Sequence, residues 1–118
     1  MTEIALIEAT DAFTHVALRG PLDNVGVGAV ELKLTTQTVA RRKPAIIDLT
    51  GVEVLTSLAI GMLVTIARSM HGHGTGLAVI ATGRAKQILE SMALQPLLPV
   101  HPSREEALRS LGLTNQSV

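Results

Sequence analysis

The stretch Ala45-Ile46-Ile47-Asp48-Leu49-Thr50-Gly51-Val52-Glu53-Val54-Leu55-Thr56-Ser57-Leu58-Ala59-Ile60-Gly61-Met62-Leu63 decides how this chain is read. Its first six residues are rich in apolar, strand-favouring residues, Gly51 opens a break, and the polar pair Thr56-Ser57 introduces a long apolar segment. That pattern predicts a strand, a turn and a helix running from Thr56 to Met70, with two adjacent hydroxyls at the helix N-terminus. Backbone N–H groups there lack intrahelical partners, and the helix dipole favours negative charge. A phosphate added to either hydroxyl would be tolerated without melting the helix. The chemistry to weigh at this turn is regulatory phosphorylation, set against the plainer role of a helix-capping hydroxyl.

Working outward, His71-Gly72-His73-Gly74 stops the helix, and Gly76 to Thr82 is a continuous apolar run of the kind buried on both faces of a parallel sheet. Two such strands joined by a helix make a βαβ unit. Gly83 to Leu94 places Ala85, Ile88, Leu89 and Met92 at helical spacing, and Leu97 to His101 reads as a short edge strand because Pro99 would disrupt a central one. Pro102 to Gly112 reads as a last helix, with Ser103 and Glu106 as a capping box and Gly112 at its end. Leu113 onward is predicted to fray, with residues 114–118 as a flexible tail.

On the N-terminal side, Glu3 to Ala9 and Thr14 to Arg19 alternate well enough for two antiparallel strands around the break Thr10-Asp11-Ala12. Gly20-Pro21-Leu22-Asp23-Asn24 ends the second strand and supplies a cap for a helix from Val25 to Arg41. Val25, Ala29, Leu32, Val39 and Ala40 form its apolar stripe, while its glycines and threonines weaken intrinsic propensity, so packing must hold it. Arg41, Arg42 and Lys43 read as helix-end charge, and Pro44 stops the helix. The expected architecture is a single α/β domain over residues 1–113, in the order ββαβαβαβα, with four helices and a mixed sheet of four to five strands.

Composition removes several function classes. Ten basic and ten acidic residues cancel, so no global field draws the chain to nucleic acid or an anionic membrane. Phe13 is the sole aromatic residue, which leaves no platform for stacking bases. The absence of cysteine excludes disulfides, thiolate metal sites and a cysteine nucleophile. The N-terminus has no basic region ahead of its apolar residues, and no apolar run approaches the roughly 20 residues of a membrane span. A soluble, cytoplasmic protein is expected.

No catalytic constellation emerges. Ser57 lacks a Gly-x-Ser-x-Gly elbow, and His15, His71, His73 and His101 show no spacing that ties one of them to it. His71 and His73 have no cysteine or nearby carboxylate to complete a metal site, so they read as a solvated turn. Gly26-Val27-Gly28 lacks the third glycine and the preceding buried strand of a dinucleotide fingerprint. A binding module is expected rather than an enzyme. The helix after Thr56 is apolar around most of its circumference, with Leu58 and Met62 following the turn on its own side. Neighbouring helices could cover this surplus, or part of it could meet a partner.

Asp48 through Gly61 resembles the signature of the STAS domain, shared by bacterial anti-sigma-factor antagonists and the cytoplasmic tails of sulfate transporters. Gly20-Pro21-Leu22-Asp23 is similar to the family's Gly-x-Leu-Asp before the first helix, and Ser91-Met92-Ala93-Leu94 falls where the family has a Ser-Gly-Leu-like helix end. In the antagonists the turn reads Asp-Ser-Ser-Gly-Leu, and a partner anti-sigma kinase phosphorylates its first serine. By register Ser57 matches that serine, with Thr56 as the alternative acceptor. Thr56 stands in place of the Asp, Leu58 in place of the second Ser, and Ala59 in place of the Gly.

The resemblance implies an anti-sigma-factor antagonist working by phosphorylation-controlled partner switching with a serine kinase of the histidine-kinase-like ATPase type. The partner face it implies comprises Asp23, Thr56, Ser57, Leu58, Ala59 and Met62. No cofactor is implied, since adenine nucleotide would belong to the partner. The alternative it leaves is a STAS module without a switch, serving a sensory complex or anion-transport system through protein or small-ligand binding.

Overall fold

The computed structural model describes residues 1–113, so the expected tail at 114–118 lies outside the described residues. Strands β1 (Glu3–Ala9) and β2 (Thr14–Arg19) form an antiparallel hairpin. Its turn is closed by Thr10, whose hydroxyl oxygen accepts from the backbone N–H groups of Ala12 and Phe13 at 3.1 and 3.0 Å. Helix α1 (Asn24–Thr38) leads to β3 (Ala45–Gly51), α2 (Ser57–Gly72), β4 (Leu77–Ile80), α3 (Gly83–Ser91), β5 (Val100–His101) and α4 (Arg104–Ser110). One five-stranded sheet results, ordered β1-β2-β3-β4-β5, with β1 antiparallel and the other strands parallel. The expected element order and mixed sheet are those observed.

Strand alternation divides the interior in two. Val16, Leu18, Ile47, Leu49 and Val79 face Val27, Val30 and Leu34 of α1 and Ala59, Leu63 and Met70 of α2, forming the larger core. Ile46, Ala78 and Ile80 point to the opposite face, where Phe13 and residues Ala107 and Leu108 of α4 cover them. Ser103 caps α4 by accepting from Glu106 N–H at 3.2 Å, and Gly112 takes the positive φ of 78° that ends it.

Helix α1 is rotated from the expected phase. Val25, Ala29 and Leu32 face solvent, and Gly26, Val27, Val30, Leu34 and Thr38 are buried instead. The anchors ahead of the helix set that rotation. Leu22 is fully buried, Asp23 caps the helix by accepting from Gly26 N–H at 2.8 Å, and a Cβ on Gly26 would stand 2.1 Å from the Pro21 carbonyl oxygen. Only glycine permits that approach, so residue 26 faces inward and Val27, Val30 and Leu34 follow it. The helix also stops three residues before Arg41. Arg41 donates to the Thr14 hydroxyl and to Thr10 O, and Lys43 donates to Asp11 O at 2.8 Å, so these cations secure the hairpin turn instead of closing α1.

Helix α2 is covered on most sides, with Ala59, Ile60, Met62, Leu63, Ile66, Ala67 and Met70 buried. Helix α3 ends at Ser91, shorter than expected, and leaves Met92 exposed. No helix among the described residues is long and apolar enough to cross a membrane.

Candidate functional site

The turn between β3 and α2 is built on the loop between β2 and α1. Leu22 N–H donates to Val54 O at 2.8 Å, and Thr56 N–H donates back to Leu22 O at 3.1 Å, so Leu22 and Leu55 pair as an isolated parallel bridge. The Thr56 hydroxyl donates to the same Leu22 carbonyl at 3.1 Å. Thr56 occupies the N-cap position of α2, with extended backbone at φ −92° and ψ 169°, yet its side chain makes no capping bond and its hydroxyl is turned toward Leu22 O instead.

Ser57 is the first residue of α2. Its side chain is exposed, and its hydroxyl has no hydrogen-bond partner among the described residues. It sits on the rim of an open groove of about 430 Å³ between α1 and α2, lined by Asn24, Gly28 and Glu31 on one side and Leu58, Gly61 and Met62 on the other. Exposed apolar side chains lie along this part of the molecule: Leu58 is 51% exposed, and Val25 and Leu32, one heptad apart on α1, are 81% and 83% exposed. Seven positions apart on one helix, Val25 and Leu32 share a face.

The structure gathers the expected partner residues at one end of the domain but presents them unequally. Asp23 spends a carboxylate oxygen on the cap of α1, while Ser57 and Leu58 stand free at the surface. Ala59 is fully buried and offers no side-chain surface, a correction to its expected place on the partner face, because it lies on the side of α2 turned to the sheet. Met62 is almost wholly buried and reaches solvent only where it lines the groove. Sequence reasoning missed Val25, Gly28, Leu32, Glu31 and Gly61. The readable signal was the presence of glycines within segments otherwise fit for helix, where each costs about 1 kcal/mol relative to alanine.

A second polar cluster lies on the opposite face of the sheet. His15, 5% exposed, places Nε2 3.2 Å from Asp48 Oδ2, and Arg104 Nη1 lies 3.1 Å from His15 Nδ1. A guanidinium only donates, so Nδ1 accepts and Nε2–H donates to Asp48. Arg104 also pairs with both oxygens of Glu8 and lies 5.3 Å from the centre of the Phe13 ring. The hydrogen bond from Arg104 holds the Glu8 carboxyl below its ordinary value, and Glu8 in turn raises Arg104. Burial pushes Asp48 up, but the bonds from His15 and from the N–H and hydroxyl of Thr50 together outweigh it and leave the carboxyl lowered. Among the described residues no group of three or more His, Asp or Glu side chains could hold a metal ion. His71 and His73 are exposed at the end of α2.

The model of the STAS domain family matches residues 5–107, nearly the whole of the described chain. The chain belongs to the STAS domain family. Similar solved structures include an anti-sigma factor antagonist from Mycobacterium paratuberculosis, 26% identical over 95% of each chain, with a TM-score of 0.82. Anti-sigma factor antagonist SpoIIAA in its unphosphorylated form is 17% identical, with 93% of this chain and 98% of that chain covered and a TM-score of 0.71. The Bacillus cell fate determinant SpoIIAA in its phosphorylated form is 16% identical over 88% and 96% of the two chains, with a TM-score of 0.65. The two SpoIIAA structures establish likeness of fold. Among curated proteins, none matches the sequence.

Proposed function

We propose that this STAS domain is an anti-sigma-factor antagonist, switched by phosphorylation of Ser57. The observation that carries the reading is the exposed Ser57 hydroxyl at the first residue of α2, without a partner among the described residues, on the rim of a groove lined by exposed Leu58, while Val25 and Leu32 stand exposed on α1. The likeness to the Mycobacterium paratuberculosis antagonist supports the class, and a SpoIIAA fold known in phosphorylated and unphosphorylated forms is a fitting frame for such a switch.

In the unmodified state the apolar rim and groove bind an anti-sigma kinase of the histidine-kinase-like ATPase type. The kinase transfers the γ-phosphoryl group of ATP to Ser57 Oγ; the hydroxyl proton passes to a base of the kinase and ADP departs. The product carries close to two negative charges beside an apolar contact surface, where desolvation and bulk oppose rebinding. Charge at the N-terminus of α2 is compatible with the helix, so the switch acts on association and leaves the fold intact. On this reading the domain is a substrate and binding partner in the cytoplasm rather than an enzyme.

Incubation of the protein with ATP and candidate anti-sigma kinases from the same genome, followed by mass spectrometry, tests the reading. Phosphate on Ser57 that releases the kinase supports it. Absence of modification by every such kinase overturns it in favour of a STAS module without a switch. One feature favours a ligand-binding version of that second reading: an open cleft of about 420 Å³ at the far end of α2, walled by Ala67, Leu77, Leu97, Pro99 and Leu111.

A further inference from the structure

We infer that Thr56 is a positioning residue for Ser57, and that its hydroxyl is withheld from phosphorylation. The inference rests on Ser57 being the acceptor. A threonine at an N-cap ordinarily turns its hydroxyl back to accept from the first turn of its own helix. Thr56 instead directs both donors, N–H and Oγ1–H, to one carbonyl, that of Leu22, at 3.1 Å each. A carbonyl oxygen has two lone pairs, and both are used.

Leu22 is the buried end of the loop that launches α1, and its neighbour Asp23 caps that helix. Ser57, the neighbour of Thr56, is the first residue of α2. The paired hydrogen bonds therefore join the starting points of two helices whose first residues, Asn24 and Ser57, line the same groove. With the Val54–Leu22 bond they make a three-bond clasp that continues the β2–β3 pairing past its last register pair, Arg19 with Gly51, into the two loops. The consequence for phosphoryl transfer is geometric. The acceptor oxygen must lie in line with the γ-phosphorus while the kinase grips the rim, so the rim and the acceptor have to be held in one orientation. Thr56 supplies that constraint with a neutral side chain.

The same allocation separates the two adjacent hydroxyls. Ser57 Oγ has no partner among the described residues, so it reaches a phosphoryl donor at no cost in internal bonding. Thr56 Oγ1 is half-buried and would have to abandon Leu22 O to react; the phosphate formed there would then face that carbonyl, and the two oxygen groups would repel.

The test compares wild type with Thr56→Val, which keeps the branched shape but loses the hydroxyl, and Thr56→Ser, which restores it. Steady-state phosphorylation by the kinase that modifies the wild type, at a temperature where circular dichroism shows all three folded, should show kcat lowered several-fold in Thr56→Val and recovered in Thr56→Ser. Equal kinetics in all three, or equal loss in both variants, overturns the positioning role. A Ser57→Ala protein incubated with the same kinase should carry no phosphate, and phosphate on Thr56 overturns the second half of the inference. Amide relaxation measurements by NMR give an arm that needs no kinase: Ser57 and Leu58 should gain motion in Thr56→Val alone, and unchanged motion counts against the clasp. A wild type that no kinase modifies defeats the proposed function, while the relaxation arm still decides whether Thr56 orders the turn.

Discussion

Gly28 of α1 and Gly61 of α2 both line the groove that ends at Ser57, and a Cβ built on either would meet nothing within 4 Å. Neither glycine takes a positive φ, so neither is required by backbone conformation or by internal packing. Each weakens its helix by about 1 kcal/mol relative to alanine. Gly28→Ala and Gly61→Ala are therefore expected to raise stability by about that amount each, read as a shift of the urea midpoint at constant slope. If the bare groove floor admits a partner's backbone or side chains, the same variants bind the anti-sigma kinase several-fold more weakly in calorimetry. Stabilised variants that bind normally would show that the partner does not enter the groove.

Gly26 makes the opposite case two residues away. Its Cβ would stand 2.1 Å from Pro21 O and 2.6 Å from Thr2 Oγ1. Gly26→Ala must push α1 off the Leu22–Asp23 loop, at a cost of about 1–3 kcal/mol expected for overpacking. Thermal denaturation should show a lowered midpoint, against the raised one of Gly28→Ala. Equal effects of the two substitutions would mean that helix propensity, and not contact with Pro21, governs both positions.

The contrast between these glycines shows where the sequence was legible. The order of elements could be read because Ile46-Ile47 and Ala78-Val79-Ile80 are unbroken apolar runs, and because Pro44, Gly51, Gly76 and Gly83 punctuate the chain around them. The turn holding Ser57 was legible for the same reason. The rotation of α1 was not: both the stripe Val25-Ala29-Leu32 and the stripe Val27-Val30-Leu34 have helical spacing, and the choice was made by Pro21 and Leu22, outside the helix. A partner surface built from the discarded stripe is invisible to a rule that sends apolar residues inward. Likewise Thr56 and Leu22 are 34 positions apart, and only the fold places one hydroxyl on that carbonyl.

Acid should loosen the far side of the sheet first. Glu8 and Asp48 both have carboxyls lowered in the folded protein, from ordinary values of 4.5 and 3.8. The unfolded chain then binds more protons in that region, so their contribution is fully present above those ordinary values and is lost as pH falls through the lowered ones. Asp48→Asn keeps the side-chain shape but removes one of these charges. Its stability between about pH 5 and pH 2 is expected to fall less steeply than that of wild type, measured by urea denaturation at each pH. Superimposable pH profiles would show that the His15–Asp48–Thr50 bonds contribute nothing dependent on ionisation.

Val25 and Leu32 are the residues on which stability and function should part most cleanly. Both are more than four-fifths exposed, so neither contributes to the core, and Leu32→Glu is expected to change stability by no more than about 0.5 kcal/mol. A partner that buries this face loses apolar contact and gains a charge to desolvate, beside Glu31 already on the groove wall. Binding of the unphosphorylated protein to the proposed kinase partner should then weaken at least tenfold for Leu32→Glu, with Val25→Glu acting in the same direction. Because neither residue is the acceptor, saturating kinase should still place phosphate on Ser57 in both variants, so the loss falls on KM and spares kcat. A fall in kcat at unchanged KM would assign the face to orientation of Ser57 rather than to affinity, and normal KM and kcat would move the partner to another surface.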